Sequence, residues 1–253
     1  MISVKCIVVL PCYNEEKNLK SLLTKIDEAL RSVVPYMVIA VNDGSSDGTP
    51  DLLRKLSVSY PVTVVEHPVN RGLAEAIRSG IDAALKSSDD SDLVVIMDSD
   101  NTHDPIYIRN MLEYVKDGAD IVIGSRYVEG GRQINVHRYR VFLSRVVNLL
   151  LKWVSRLPVN DATSGYRCFR ATTLRRAKEK LGQKFLESKN FEVSFELLLK
   201  ASFYSLTIKE VPILLDYSKK RGRSKMKLLP TIGGYLRTLM KIKRWRKMLE
   251  ANY

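Results

Sequence analysis

The sequence predicts an α/β protein: a mostly parallel central sheet flanked by helices, with amphipathic helices toward the C-terminus. Three observations lead there. Short apolar runs such as Leu93–Met97 show no polar alternation, the pattern of strands buried on both faces. They alternate with amphipathic stretches in βαβ fashion. The polar, glycine-bearing motifs fall directly after the apolar runs, where open α/β sheets bind ligands.

Taken in order, Lys5–Leu10 reads as a buried strand stopped by Pro11. A polar turn, Pro11 to Glu16, then opens a helix with Leu19, Leu22, Leu23, Ile26 and Leu30 on one face. A second strand, Met37–Val41, runs into the loop Asn42–Thr49, rich in glycine and in side chains that accept positive φ. The third, Val62–Val65, precedes His67 and Asn70-Arg71-Gly72-Leu73, from which a helix reaches about Leu85. After the central run come a helix from Pro105 and a strand, Ile121–Ile123, that ends in Gly124-Ser125-Arg126-Tyr127. Neither Gly-x-Gly-x-x-Gly nor a Walker loop occurs at these turns, which weighs against ordinary dinucleotide and P-loop sites.

The chain has 253 residues, 45% of them hydrophobic, enough to bury the core of one domain. Its net charge of +13 is unevenly placed: residues 1–125 carry 12 Lys/Arg against 19 Asp/Glu, and 126–253 carry 29 against 9. The basic half calls for an anionic partner. Cys6, Cys12 and Cys168 show no CxxC spacing, so they form neither a disulfide framework nor a zinc site, and a reducing compartment is expected. The N-terminus has no signal-peptide pattern, and no apolar run approaches the ~20 residues of a spanning helix.

Asp98-Ser99-Asp100 ends the central run. Residues i and i+2 of an extended chain project to one side. Two carboxylates held together need a cation, and hard oxygen ligands suit Mg²⁺ or Mn²⁺ completed by water and a substrate diphosphate. An isolated Asp-x-Asp is more often a solvated acidic turn; here four polar motifs each follow a strand.

Pro11-Cys12-Tyr13-Asn14-Glu15, Asn42 to Thr49, Asn70-Arg71-Gly72-Leu73 and Asp98-Ser99-Asp100 together resemble glycosyltransferase family two on the GT-A (nucleotide-diphospho-sugar transferase) fold. Gly124 to Tyr127, Ser164-Gly165-Tyr166-Arg167 and Arg221-Gly222-Arg223-Ser224-Lys225 are similar to its dolichol-phosphate mannosyltransferase branch. The resemblance implies an inverting transferase that uses a nucleotide-sugar and a polyprenyl phosphate. Under it, Tyr13 and Asp43 hold the base and Glu15 the ribose, with Pro11, Asn14, Gly44, Asn70, Arg71, Gly72 and Ser99 on the donor side. Asp98 and Asp100 serve metal and diphosphate. Where that branch has Asp-Ala-Asp-Leu-Gln-His, this chain has Asp98-Ser99-Asp100-Asn101-Thr102-His103, so Thr102 stands in place of a further metal ligand. Arg126, Arg138, Arg140, Arg167, Arg221, Ser224 and Lys225 are expected at the acceptor. Asp98, Asp100, Arg126, Arg221 and Lys225 form the expected catalytic set, and Asp161 is the one plausible base. The implied boundaries are a GT-A domain over 1–225, its halves about 1–126 and 127–225, and a basic amphipathic tail, 226–253.

In the basic half, Arg138–Leu157 reads as a helix with Arg138, Arg145, Lys152 and Arg156 on one face and Leu143, Val147, Leu150 and Val154 opposite. Phe142, Leu149, Leu151 and Trp153 leave little polar surface, which suits a helix lying in a membrane interface. The tail repeats this, with Ile232, Tyr235, Leu239 and Ile242 beside Arg237, Lys241, Arg244 and Lys247. Peripheral attachment to the anionic cytoplasmic face of a membrane is expected, without a transmembrane helix. Glu192 and Glu196, four apart, read as a surface edge. The expected reaction moves mannose from GDP-mannose to dolichyl or another polyprenyl phosphate. UDP-glucose as donor, a hydroxyl acceptor, a binding-only relative and a nucleic-acid-binding protein are the alternatives; the last lacks a reading motif, and no nucleic acid is expected.

Overall fold

The computed structural model describes residues 4–221 and 228–251. Seven strands form the main sheet. They arise from β1 (Cys6–Cys12), β2 (Tyr36–Asp43), β3 (Val62–His67), β4 (Leu93–Ile96), β5 (Ile121–Ser125), and later β7 and β8. Between the first five lie α1 (Glu16–Leu30), α2 (Thr49–Leu56), α3 (Leu73–Lys86) and α4 (Tyr107–Lys116). The second half supplies β6 (Arg132–Ile134), α5 (Arg138–Ser155), β7 (Arg167–Arg170), α6 (Ala171–Leu181), α7 (Val193–Ser202), β8 (Ile208–Pro212), β9 (Leu214–Asp216) and α8 (Leu228–Ala251).

Strand order in the main sheet is β3-β2-β1-β4-β7-β5-β8, while β6 and β9 pair separately. All neighbours in the large sheet are parallel except β7, which lies antiparallel between β4 and β5. Every residue of β4 and β5 is buried, as their unbroken apolar runs require. Helices cover both faces through two apolar layers. α3 closes on β1 through Gly80, where a Cβ would lie 2.3 Å from a Val9 methyl.

Strand β1 continues through Pro11, paired with Val41, to Cys12, two residues beyond the expected stop. β2 and β3 also run on, to Asp43 and His67, and so carry polar side chains to the ligand edge.

Two expectations for the basic half change. The tail helix α8 turns Tyr235, Ile242 and Trp245 into the core, with Leu239 and Met248 packed against it. The apolar spacing of these residues therefore serves internal packing; among the described side chains of α8, Leu236 and Met240 are the large apolar ones left exposed, and Ile232 lies outside that description. Glu192 and Glu196 are buried rather than on a surface edge. Glu196 accepts from the backbone N–H groups of Glu187 and Ser188 and pairs with buried Lys200 at 2.5 Å, and Lys200 sits over the Trp245 ring. Helix α5 behaves differently. Tyr139, Phe142, Val146, Leu149, Leu150 and Trp153 form an exposed stripe, with Trp153 79% and Leu149 69% accessible. Among the described residues no helix is long and apolar enough to cross a membrane.

Candidate active site

The C-terminal ends of β1, β2 and β4, the start of α5, and the β7–α7 side enclose a cleft of 450 Å³. Along one wall stand Pro11, Tyr13, Glu15, Asp43, Asn70 and Gly72. Its floor holds Asp98, Ser99, Asp100, Thr102 and His103. Arg126, Arg140, Gln133, Leu143, Val147 and Phe191 line the opposite wall.

Backbone stitching fixes this first wall. Asn14, at φ 51°, joins the turn after β1 to the loop after β2: its N–H donates to Ser45 Oγ at 3.0 Å and its side-chain oxygen accepts from Ser46 N–H at 2.8 Å. Gly44, at φ 64°, lets Val69 and Asn70 pass so closely that a Cβ would overlap their backbone. Asn14, Gly44 and Arg71 are thus positioning residues outside the cleft lining. Arg71 contributes its backbone N–H, 2.9 Å from Asp43, while its side chain turns to Glu75. Asp43 also accepts from Gly72 N–H at 2.8 Å, and His67 Nδ1 lies 2.7 Å from it, with His67 Nε2 2.9 Å from Ser79 Oγ. A carboxylate has about four acceptor positions, and these contacts take two on Oδ1 and one on Oδ2. Glu15 is buried and accepts from Asn18 Nδ2 at 2.6 Å.

The two aspartates meet at the floor, through a loop rather than along a strand. β4 ends at Ile96, and Asn101 at φ 65° turns the chain back. Asp100 is buried. Its Oδ1 accepts from Thr102 N–H at 3.1 Å and Thr102 Oγ1 at 2.6 Å, and its Oδ2 pairs with Lys220 Nζ at 2.6 Å. Burial pushes its carboxyl up, but Lys220 and Thr102 outweigh this and hold it below the ordinary range. Asp98 has a side chain 48% accessible that opens onto the cleft. Withdrawal from bulk water raises its pKa; His103 and Lys220 oppose the rise and Asp100 adds to it. His103 Nδ1 accepts from Asp98 N–H at 3.2 Å while the ring stacks on Tyr166, a structural role.

Among the described residues no cluster of three or more His, Cys, Asp or Glu is arranged for a metal. The donor types present, Asp98, which opens onto the cleft, and Asp100 Oδ2, which Lys220 holds, suit a hard divalent ion between two carboxylates completed by substrate oxygens once Lys220 yields. Thr102 spends its hydroxyl on Asp100 and so orients that carboxylate.

Several of the residues expected at the acceptor are placed differently. Arg126 is gripped by Asp161: Nε and Nη2 donate to its two oxygens at 2.7 Å each, and Nη2 also reaches Thr163 Oγ1 at 2.8 Å. Asp161 is fully buried. Burial alone would raise its pKa, but the Arg126 charge and hydrogen bonds bring it below the ordinary value. That state does not suit a general base at neutral pH. Arg167 is buried away from the cleft, bonded to the carbonyls of Ala162 and Ser194, and burial lowers its pKa to about 10. Arg138 is exposed outside the lining, whereas Arg140 lines it. Arg221 docks through its backbone on Asn18, with the side chain exposed. Ser224 and Lys225, with Arg223, lie outside the described residues.

Lys220 was not legible from the sequence, where it is one of several cations in a row. Only the fold shows that it reaches Asp100, 120 positions away.

The model of the family described as Glycosyl transferase family 2 matches residues 7–181. The dolichol-phosphate mannosyltransferase of Pyrococcus furiosus is 33% identical over 98% of this chain, which spans 66% of that relative's length. The polyprenol monophosphomannose synthase of Mycolicibacterium smegmatis is 32% identical over 88% of this chain and 81% of its own. An undecaprenyl-phosphate mannosyltransferase of Micrococcus luteus is also 32% identical, over 88% of each. Among solved structures, glucosyl-3-phosphoglycerate synthase of Mycobacterium tuberculosis superposes with a TM-score of 0.62 at 21% identity, over 95% of this chain and 79% of that one. The same enzyme, with Mn²⁺, UDP-glucose and phosphoglyceric acid bound, gives 0.62 at 20% identity, over 95% and 78%. These superpositions carry the GT-A fold.

Proposed function

We propose, on the premise that this chain belongs to glycosyl transferase family 2, that it moves a hexose from a nucleotide-sugar onto a polyprenyl phosphate. Mannose from GDP-mannose is the favoured donor, because three relatives sharing about a third of its residues are named for mannosyl transfer to such lipids. The observation that carries the acceptor assignment is the state of the far wall. The carboxylate behind Arg126, Asp161, is buried and bound by it, while Arg126, Arg140 and Lys220 bring positive charge to the cleft. A sugar hydroxyl loses a proton as it attacks and wants a positioned base. A phosphate monoester is already anionic and wants cations.

In this reading Asp43 and Glu15 hold the nucleoside, and Gly72 closes the donor side. The acceptor phosphate oxygen attacks the anomeric carbon as the bond to the nucleoside diphosphate breaks, with inversion. Asp98 and Asp100 would hold Mg²⁺ or Mn²⁺, which neutralises charge on the departing diphosphate. Arg126, fixed by Asp161, offers a preorganised positive charge that needs no reorganisation during transfer.

Attachment is peripheral, on the cytoplasmic face of a membrane. α5 supports it: one side carries Arg140, Leu143 and Val147 in the cleft, and another exposes the Tyr139-to-Trp153 stripe. A prenyl chain inserted beside that stripe would lead its phosphate toward Arg140. Screening nucleotide-sugars against a polyprenyl phosphate, read by lipid-linked product, tests the reading. Product only from GDP-mannose fits it, product from UDP-glucose moves it to the alternative donor, and no lipid product with any donor rejects it.

A further inference from the structure

The segment that follows β9 lines the cleft with Tyr217 and Lys220 and rests on three anchors. Lys219 Nζ meets Asp104 at 3.0 Å, Lys220 Nζ meets Asp100 at 2.6 Å, and the Arg221 backbone both donates to and accepts from the Asn18 side chain. Lys219 pairs with a part-exposed carboxylate, and the Arg221 backbone is held by the buried Asn18 side chain. Lys220 faces the cleft floor, with 15% of its side chain accessible.

Thr102 already supplies two donors to Oδ1 of Asp100. Oδ2 is therefore the oxygen this carboxylate has left for a cation, and Lys220 stands on it. An ammonium and a divalent ion on one carboxylate oxygen repel each other at short range. They cannot share it without loss.

We propose that Lys220 is an internal counter-cation that competes with the divalent ion for Asp100, so that metal loads together with the donor diphosphate and poorly alone. The inference rests on the reading of Asp98 and Asp100 as the metal and diphosphate site. The diphosphate brings the negative charge that takes over the ammonium, which releases Asp100 to the metal. Lysine suits this exchange, because its charge rides on a flexible four-carbon stem and swings while the anchors on either side stay in place. Metal and nucleotide then bind with positive coupling, and the coupling is reciprocal.

The test is Mn²⁺ binding by titration calorimetry or by the EPR signal of free Mn²⁺, with and without GDP or UDP. Lys220→Met should tighten Mn²⁺ binding to the nucleotide-free protein about tenfold, the scale of one displaced charge pair of about 1.4 kcal/mol. It should also shrink the enhancement that nucleotide gives. Lys220→Arg, which retains the charge, should stay near wild type, and Lys219→Met should change neither quantity. Unchanged or weaker Mn²⁺ affinity in Lys220→Met, with affinity lost in Asp100→Ala, overturns the role of Lys220 while the metal site stands. Full Mn²⁺ affinity in Asp100→Ala overturns both.

Discussion

Asp161→Asn separates a structural carboxylate from a catalytic one. The substitution keeps shape and removes charge from a group that has no solvent access and accepts from Arg126 N–H, Nε and Nη2 and from Ser164 N–H. Breaking a buried ion pair by neutralising one partner costs about 3–5 kcal/mol, because the other charge stays buried without compensation. Removing both charges is far less costly, so a double-mutant cycle with Arg126→Met should show coupling of about 3 kcal/mol. Urea unfolding followed by circular dichroism gives the four free energies. The pH dependence has a defined sign. Asp161 has a lowered pKa in the folded state, so the pair's stabilisation is fully present above the unfolded value of ~3.9 and is lost as pH falls through the folded one. The gap between wild type and Asp161→Asn should narrow in acid. Additive effects in the cycle would refute the pairing, as would a gap that holds constant down to the acid transition. Turnover of the folded variant should fall with the loss of an ordered Arg126 and keep its pH profile; disappearance of the acidic limb, where a general base is protonated, would restore Asp161 as a base.

Three further outcomes follow from the same geometry. Asp100→Ala should lower turnover by ~100-fold or more, the size of a lost transition-state electrostatic contact; near wild-type turnover, or full activity in chelator, contradicts the metal site. Wild-type protein should bind anionic vesicles less as salt rises, and Phe142→Ser with Trp153→Ser should abolish binding while leaving the unfolding midpoint in place; equal partitioning of wild type onto neutral vesicles contradicts the electrostatic part. Trp245→Ala should destabilise the fold by about 3–5 kcal/mol, because that ring packs in the core; a loss below 1 kcal/mol in urea unfolding contradicts its burial.

The first half of the fold was legible because β4 and the body of β1, β2 and β5 are unbroken apolar runs and their turns announce themselves through glycine, asparagine and aspartate. The polar turn motifs followed, since each sits where a strand ends. β7 was not legible: four residues, Arg167–Arg170, acquire strand character only from two partners distant in sequence. Periodicity showed that α5 and α8 have apolar faces but not what covers them. In α8 the core takes that face through Trp245 and Ile242; in α5 the Phe142–Trp153 stripe stays outside. Charge behaved likewise. Arg126 and Arg167 share a residue type and a basic neighbourhood in sequence, yet one lines the cleft and the other is buried behind it.

Acceptor choice tests the central claim most directly. With one nucleotide-sugar donor, the purified protein is given a polyprenyl phosphate, the same lipid as free alcohol, and a soluble sugar, and the glycosylated product of each is quantified. A lipid-phosphate sugar formed from the phosphate, with little product from the other two, is the predicted result. Preference for the alcohol or the soluble sugar would contradict the polyprenyl-phosphate assignment and leave only a GT-A transferase with a different acceptor.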